Sequence, residues 1–162
     1  MDVSLEMIGE DGVTALNKLV ELAAYDLSEL SGSDIHENGM FVMDFDSRNW
    51  FEDSNMDLYF IRYDGKIAGF AVVRIIPEEE INYFNHFFVL RKYRNKKIGK
   101  DAAIKVFNRY LGKWRVSQFD WNLPAQQFWR KTLKEYVGDN YVETRRKDNK
   151  GPMQEFERET CT

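Results

Sequence analysis

The chain has one cysteine, Cys161, and two histidines, His36 and His86, among its 162 residues. A single cysteine builds no disulfide framework, and no paired Cys or His spacing of a zinc site occurs, so no metal is expected. No apolar run approaches the ~20 residues that span a bilayer, so a membrane is not an expected partner. The N-terminus carries Asp2, Glu6, Glu10 and Asp11 instead of a basic and apolar leader, so no signal peptide is expected. These absences point to a reducing, cytoplasmic setting. Repeats, linkers and low-complexity segments are also missing. Positive charge is in deficit, with a net −4, which argues against a general nucleic-acid binder.

Apolar residues, by contrast, are ample. At 43% hydrophobic and 15% aromatic, residues 1–162 suffice for one domain with a core. Val3–Ile8 alternates weakly, as an edge strand would. Apolar residues Leu16, Leu19, Val20, Ala23, Ala24, Leu27 and Leu30 recur at helical spacing over 13–30, and Ser31-Gly32-Ser33-Asp34 stops them. Residues 35–56 read as a loop with a short helix near 47–52. Two readings stay open for this aromatic-rich segment: packing on the core, or walling a cleft. Asp64-Gly65 joins strands 57–63 and 66–76 as a hairpin, and Gly69 within the second strand suggests a bulge or close backbone approach. Strand 81–89, helix 98–111, strand 114–119, helix 122–136 and strands 141–146 and 152–158 follow. This order predicts an α/β (α+β) fold, a mixed and mostly antiparallel sheet of six to seven strands with helices on both faces.

One stretch stands out, INYFNHFFVL-RKYRNKKIGK-DAAIKVF, from Ile81 to Phe107. It reads as a buried strand, a basic loop and a helix. Residues 91–105 hold seven Lys or Arg against one acid, a local +6 that leaves −10 for the rest of the chain. Main-chain N–H groups at a helix start, with cations around them, suit a phosphate group. A solvated charged face is the plainer reading of the same residues.

The stretch Arg94-Asn95-Lys96-Lys97-Ile98-Gly99 resembles the signature of the GNAT superfamily of N-acetyltransferases, which is Gln or Arg, two residues, Gly, one residue, then Gly or Ala. Lys97 stands where the first glycine belongs. A second family feature, Asn, two residues, Ala, two residues and an aromatic pair, appears as Asn122-Leu123-Pro124-Ala125-Gln126-Gln127-Phe128-Trp129. The resemblance implies a GNAT-like sheet and acetyl-CoA as co-substrate. It implies that amides at 94–99 grip the diphosphate. The implied cofactor-binding residues are Phe88, Val89, Arg94, Asn95, Lys96, Lys97, Ile98, Gly99, Lys100, Asn122 and Phe128. A main-chain N–H near Val89 would meet the carbonyl oxygen.

The resemblance also implies aminolysis of a thioester by direct attack of an amine, which needs a base for the amine and donors for the oxyanion. The family's usual acid, a tyrosine of the aromatic pair, is replaced by Trp129, which is not a proton source. By strict alternation Tyr83 and Asn85 share one face, as substrate or water contacts, and His86 faces the other way unless a bulge intervenes. His86 and Glu80 are the base candidates, and Glu79 lies beside Glu80. His36 could also reach the cleft. The acidic remainder favours a cationic amine acceptor, of a small molecule or a peptide. An acyl-CoA-binding module without turnover is the alternative, and a nucleic-acid site at 91–105 a third reading. A homodimer is compatible with the sequence but not indicated by it.

Overall fold

A computed structural model describes residues 2–159, so Cys161 lies outside the described residues. The strands are β1 (Val3–Met7), β2 (Met56–Tyr63), β3 (Lys66–Ile76), β4 (Ile81–Val89), β5 (Gly112–Ser117), β6 (Val142–Arg145) and β7 (Pro152–Arg158). The helices are α1 (Val13–Ser31), α2 (Arg48–Glu52), α3 (Ile98–Phe107) and α4 (Leu123–Val137). The strands form one sheet in the order β1-β2-β3-β4-β5-β7-β6, antiparallel except for β4 and β5, which run parallel. The mixed, seven-stranded sheet expected from the sequence is therefore present. No helix among the described residues is long and apolar enough to cross a membrane.

Helices cover both faces because both faces are apolar. On one face, Leu16 and Leu19 of α1 and Trp50 and Phe51 of α2 pack on Phe60, Phe70, Val72 and Phe88. On the other, Ile98, Ala102, Ala103, Val106 and Phe107 of α3 and Trp129 and Leu133 of α4 pack on Ala71, Val73, Phe84, Trp114 and Val116. Phe107, without exposed surface, is the hub of the second core. Its ring lies 4.9–6.1 Å from those of Phe84, Trp114, Trp129, Tyr136 and Phe156, mostly edge to face. Such pairs add about 0.5–1.5 kcal/mol each beyond area burial.

Several boundaries differ from expectation. Helix α3 ends at Phe107 instead of 111, because N–H groups of Arg109 and Tyr110 reach back three residues, tightening the turn. Gly112, at φ 101°, then re-enters the sheet directly, so β5 covers 112–117 instead of 114–119. The Asp64-Gly65 turn is as expected, with φ of 50° and 80°.

Gly69 has both properties its position suggested. Ile61 pairs with Gly69 and Arg62 with Ile67, so Ala68 is an extra, bulged residue. A Cβ on Gly69 would lie 1.9 Å from the Phe88 carbonyl oxygen, so β4 approaches β3 too closely for any side chain there. The expected consequence is that Gly69→Ala costs about 3 kcal/mol or more. Urea unfolding checks this, and a loss below about 1 kcal/mol would contradict the close approach.

Candidate active site

The parallel ladder of β4 and β5 is short. Only Ile81, Asn82 and Tyr83 pair with Lys113, Trp114 and Arg115. Beyond Tyr83 the two strands part, while β5 stays paired with β7 through Ser117. The far half of β4 therefore has a bare edge. The Leu90 N–H donates to the Ala68 carbonyl on β3 at 2.8 Å, so by alternation Val89 and Phe87 turn their N–H groups to the open side. The donor anticipated near Val89 has this orientation.

The 91–100 segment follows from the open edge. After a 3-10 turn at Arg91–Tyr93, Asn95 and Lys97 both take the left-handed conformation, at φ 60° and 65°. Lys97 thus adopts the backbone shape that the glycine of the pattern supplies, at a cost of about 1–2 kcal/mol for a residue with a Cβ. It is also the N-cap of α3, without a side-chain cap. The main-chain N–H groups of Lys97, Ile98, Gly99 and Lys100 have no acceptor among the described residues. Arg94 differs, because its N–H donates to the Arg91 carbonyl at 3.1 Å. The N–H groups of Asn95 and Lys96 also have no acceptor among the described residues, so the expected run of free amides begins at Asn95 instead of Arg94. Gly99 lets Phe128 come close: a Cβ there would lie 3.2 Å from its ring, which would have to give by a few tenths of an ångström. Phe128 in turn stacks on Phe87 with centroids 5.6 Å apart, so it lies between the helix start and the open strand.

The cations are less free than the +6 count implied. Arg94 donates through Nη2 to Asp26 Oδ2 at 2.6 Å and through Nε to the Val89 carbonyl at 2.9 Å, and its guanidinium lies over the Phe88 ring. Arg91 Nε donates to Asp26 Oδ1 at 2.8 Å, and Lys100 pairs with Glu135 at 3.1 Å. Burial alone would raise the Asp26 carboxyl, but hydrogen bonds from Arg94 and Arg91 and their charges hold it below the ordinary carboxylate range. Lys96 and Lys97 are exposed and have no carboxylate partner among the described residues. They are the cations left over for a ligand. Asp26 carries no signal in the sequence, since one acid on an amphipathic helix looks like any surface carboxylate.

Strict alternation along β4 fails. Val72 pairs with His86 and Val73 with Phe84, so Asn85 is the extra residue of a bulge. Tyr83, His86 and Phe88 consequently share the face of α1 and α2, and Phe84 and Phe87 turn into the other core. The opposite-face reading of His86 is corrected for that reason. The His86 ring stacks on Trp50 of α2 at 4.7 Å, and Phe45 packs against Trp50, also at 4.7 Å. Crowding removes water and pushes His86 down to about 4. Trp50 covers one side of the ring, and the residue as a whole stays exposed to solvent.

Tyr83 Oη and Ser117 Oγ are 2.7 Å apart, a hydroxyl pair bridging β4 and β5 where they separate. Ser117 was legible in principle, because Trp114 and Val116 face the core and leave Arg115 and Ser117 opposite. Arg115 is held between Glu79, at 3.0 Å, and Glu155, at 2.9 Å. Hydrogen bonds from Arg115 keep the Glu79 carboxyl low, which makes it a poor base. Glu80 sits exposed in the β3–β4 turn at φ 53°, where its N–H donates to the Pro77 carbonyl at 3.2 Å, and its carboxylate makes no hydrogen bond or ion pair among the described residues.

The segment between α1 and β2 is held over this face. Main-chain N–H groups of Phe41 and Val42 donate to the Glu21 carboxylate at 2.8–3.0 Å, and Phe41 packs on Tyr25. Trp50 joins the core and stacks on His86 of β4, as the packing reading of 35–56 expects. The His36 N–H and carbonyl close a turn over 36–40 within that loop. Asn122 caps α4 by accepting from the Ala125 N–H at 3.2 Å, so Oδ1 is committed. Trp129 is buried against Phe84, Phe87 and Phe107 as a core residue.

A sheet that opens between two parallel strands, with free amides at the adjoining helix start, defines a class of acyl-transfer enzymes. The family comparison agrees. Residues 22–134 match the model of the acetyltransferase (GNAT) family, so the chain belongs to that family. It is an acyltransferase whose family takes acetyl-CoA as co-substrate. No curated protein matches the sequence. Among solved structures it is similar to an acetyltransferase from Thermus thermophilus, with TM-score 0.72, 11% identity and 97% of each chain covered. It is similar to the PaiA N-acetyltransferase of Thermoplasma acidophilum in complex with coenzyme A, with TM-score 0.62, 13% identity and 97% and 99% covered. The aminoglycoside acetyltransferase AAC(6')-Ib, also with coenzyme A, gives TM-score 0.65 at 14% identity, with 97% and 95% covered. At such identities these likenesses speak for the fold.

Two outcomes are expected. Lys97→Gly, which relieves the left-handed lysine, should raise stability by up to about 1 kcal/mol, net of the added unfolded-state freedom. Thermal unfolding measures it, and destabilisation would contradict the assigned backbone. For His86, a folded-state pKa below the unfolded 6.5 means the unfolded chain binds the proton first. Its contribution is full above about 6.5 and is lost as pH falls toward 4. His86→Gln should flatten that part of the stability curve, and an NMR titration midpoint near the ordinary 6.5 would count against the lowered value.

Proposed function

We propose that this protein is an N-acetyltransferase that moves the acetyl group of acetyl-CoA to a primary amine by direct attack in a ternary complex. The observation that carries the reading is the set of four unpartnered amides at 97–100, beside Lys96 and Lys97, at the end of a strand that has left its neighbour. A diphosphate fits there, since each oxygen can accept from a main-chain N–H and the helix dipole adds favourable potential. Gly99 and Phe128 shape the floor. The pantetheine arm would lie along the bare edge of β4, using groups of Phe87 and Val89 that β5 leaves unpaired. The unused amide nitrogen of Asn122 is the donor on the opposite strand's side.

The reaction needs the carbonyl carbon beside the open strands and the amine on the α1/α2 face. The Val89 or Phe87 N–H stabilises the oxygen as it gains charge. A neutral imidazole at His86 accepts a hydrogen bond without repelling a cationic amine. With its pKa lowered to about 4 it is, like Glu79, a weak base, so its part is to orient the amine or the water that carries the proton away. The hydroxyl pair Tyr83–Ser117 orders that water or the amine itself. Asn85, at the bulge, is placed for the same contact. Glu80 is left as a distant participant, acting through water. The acidic balance of the chain, net −4, favours a cationic acceptor. Acceptor identity, small molecule or peptide, is set by the 33–46 segment and neighbouring loops, which the fold leaves variable.

Free-thiol detection with acetyl-CoA and a panel of polyamines, aminoglycosides, amino acids and peptides tests the reading. Release is expected with at least one class, and Lys97→Glu should raise KM for acetyl-CoA about tenfold, the equivalent of one charge-assisted contact. Binding of CoA with no release across the panel would favour the alternative, an acyl-CoA-binding module without turnover.

A further inference from the structure

We propose that Asp26 is a positioning residue for acetyl-CoA, and that through it the last turns of α1 support both the cofactor turn and the wall of the acceptor side. The inference rests on the acyl-transfer reading above. Helix α1 has nineteen residues, yet its buried ones, Val13, Leu16 and Leu19, all lie in the first two turns. From Val20 to Ser31 none is buried, and Leu22, Tyr25, Leu27 and Leu30 are exposed. Val20 and Ala23, partly buried, are the last α1 residues that pack on the core, so beyond them side-chain bonds hold the helix end. Two carboxylates five residues apart supply them. Glu21 accepts from the amides of Phe41 and Val42 at 2.8–3.0 Å, which fixes the 33–46 segment. Asp26, only 17% exposed at its side chain, accepts from Arg91 and Arg94.

Arg94 gives Asp26 its reach. One guanidinium bonds Asp26 through Nη2 at 2.6 Å and Nη1 at 3.4 Å, and the Val89 carbonyl through Nε at 2.9 Å. The strand end, the turn and α1 are thereby tied at one planar group whose donors have a fixed geometry. A salt bridge near the surface is worth little in stability. Its use here is preorganisation: the amides at 97–100 are aimed before the ligand arrives. The charge on Asp26 is unfavourable for a diphosphate nearby, and two released arginines would be favourable. The two accounts thus give opposite signs. If the pairing only screens charge, removing the carboxylate tightens CoA binding; if it positions the turn, removal weakens binding.

The same support couples the two sides. Ordering the turn with CoA restrains Arg91 and Arg94, then Asp26, then the lightly packed end of α1, and with it Glu21. The Phe41 and Val42 amides, which CoA need not touch, should exchange more slowly when CoA is bound.

The test compares the unaltered protein with Asp26→Asn, Asp26→Glu and Arg94→Gln. Calorimetry with CoA and hydrogen exchange at 41 and 42, with and without CoA, are the readouts. Expected are roughly tenfold weaker CoA binding for Asp26→Asn and Arg94→Gln, and a KM for acetyl-CoA that rises with kcat nearly unchanged. Asp26→Glu should restore most of the affinity. Protection at 41 and 42 should grow with CoA in the unaltered protein and not in Asp26→Asn. Arg94→Gln keeps the carboxylate, so it answers for a variant that fails to fold. Unchanged or tighter CoA binding in Asp26→Asn overturns the proposal, as does CoA-induced protection that persists in it. No CoA binding by the unaltered protein takes down the acyl-transfer reading as well, whereas binding indifferent to Asp26 takes down the positioning role alone.

Discussion

The rest of the structure depends on the early end of the ladder between β4 and β5. Three residue pairs hold them, and then β5 follows β7 instead. A sheet interior does not leave backbone donors and acceptors bare without something to meet them. What keeps the strands apart is the aromatic core below. Phe84, Phe87, Phe107, Trp114, Phe128 and Trp129 form a continuous set of ring contacts under the opening. Closing the sheet would require repacking rings whose volume leaves no slack, since interiors are as dense as organic crystals. The opening is thus a consequence of core volume, and the bare edge of β4 is its chemical result.

Charge around the turn is divided by a similar constraint. Of the basic residues that crowd 91–100, Arg91 and Arg94 are committed to Asp26 and Lys100 to Glu135. Only Lys96 and Lys97, with Lys92 over the Tyr93 ring, face outward. Ion-paired cations sit on the inner side of the turn and solvent-facing ones on the outer side. That division explains how a lysine can replace a glycine in the pattern. Its backbone takes the left-handed shape at moderate cost, while its ammonium adds positive charge beside the free amides.

The sheet, the helices on both faces and the strand–turn–helix were legible because they rest on local rules. Hydrophobic period named the elements, Asp64-Gly65 named a turn, and Gly69 named a close approach. The face of His86 was not legible. A single extra residue at Asn85 reverses alternation for everything before it, and nothing in INYFNHFFV marks which residue bulges. Asp26 was hidden for another reason. Its partners lie 65 and 68 residues away, and a long-range ion pair leaves no periodic trace. The stacking of Trp50 on His86 is of the same kind. Local structure was legible where spacing encodes it, and tertiary juxtaposition was not.

The absence of a tyrosine at position 129 carries less weight than it first suggests. A thiol with an ordinary pKa of about 8.5 leaves as thiolate at neutral pH for a deficit of about 2 kcal/mol. An alkylammonium acceptor with a pKa near about 10.4 needs about 4–5 kcal/mol to present its lone pair at the same pH. The proton on the amine is therefore the larger obstacle, and proton removal is where the site must act. The groups on the α1/α2 face fit that priority. His86 is held toward the neutral form, the Tyr83 and Ser117 hydroxyls lie 2.7 Å apart, and Glu79 is paired with Arg115. Trp129, freed from acid duty, contributes core volume under the opening instead. Position 129 therefore bears less on the proposed reaction than the polar groups beside the opening do.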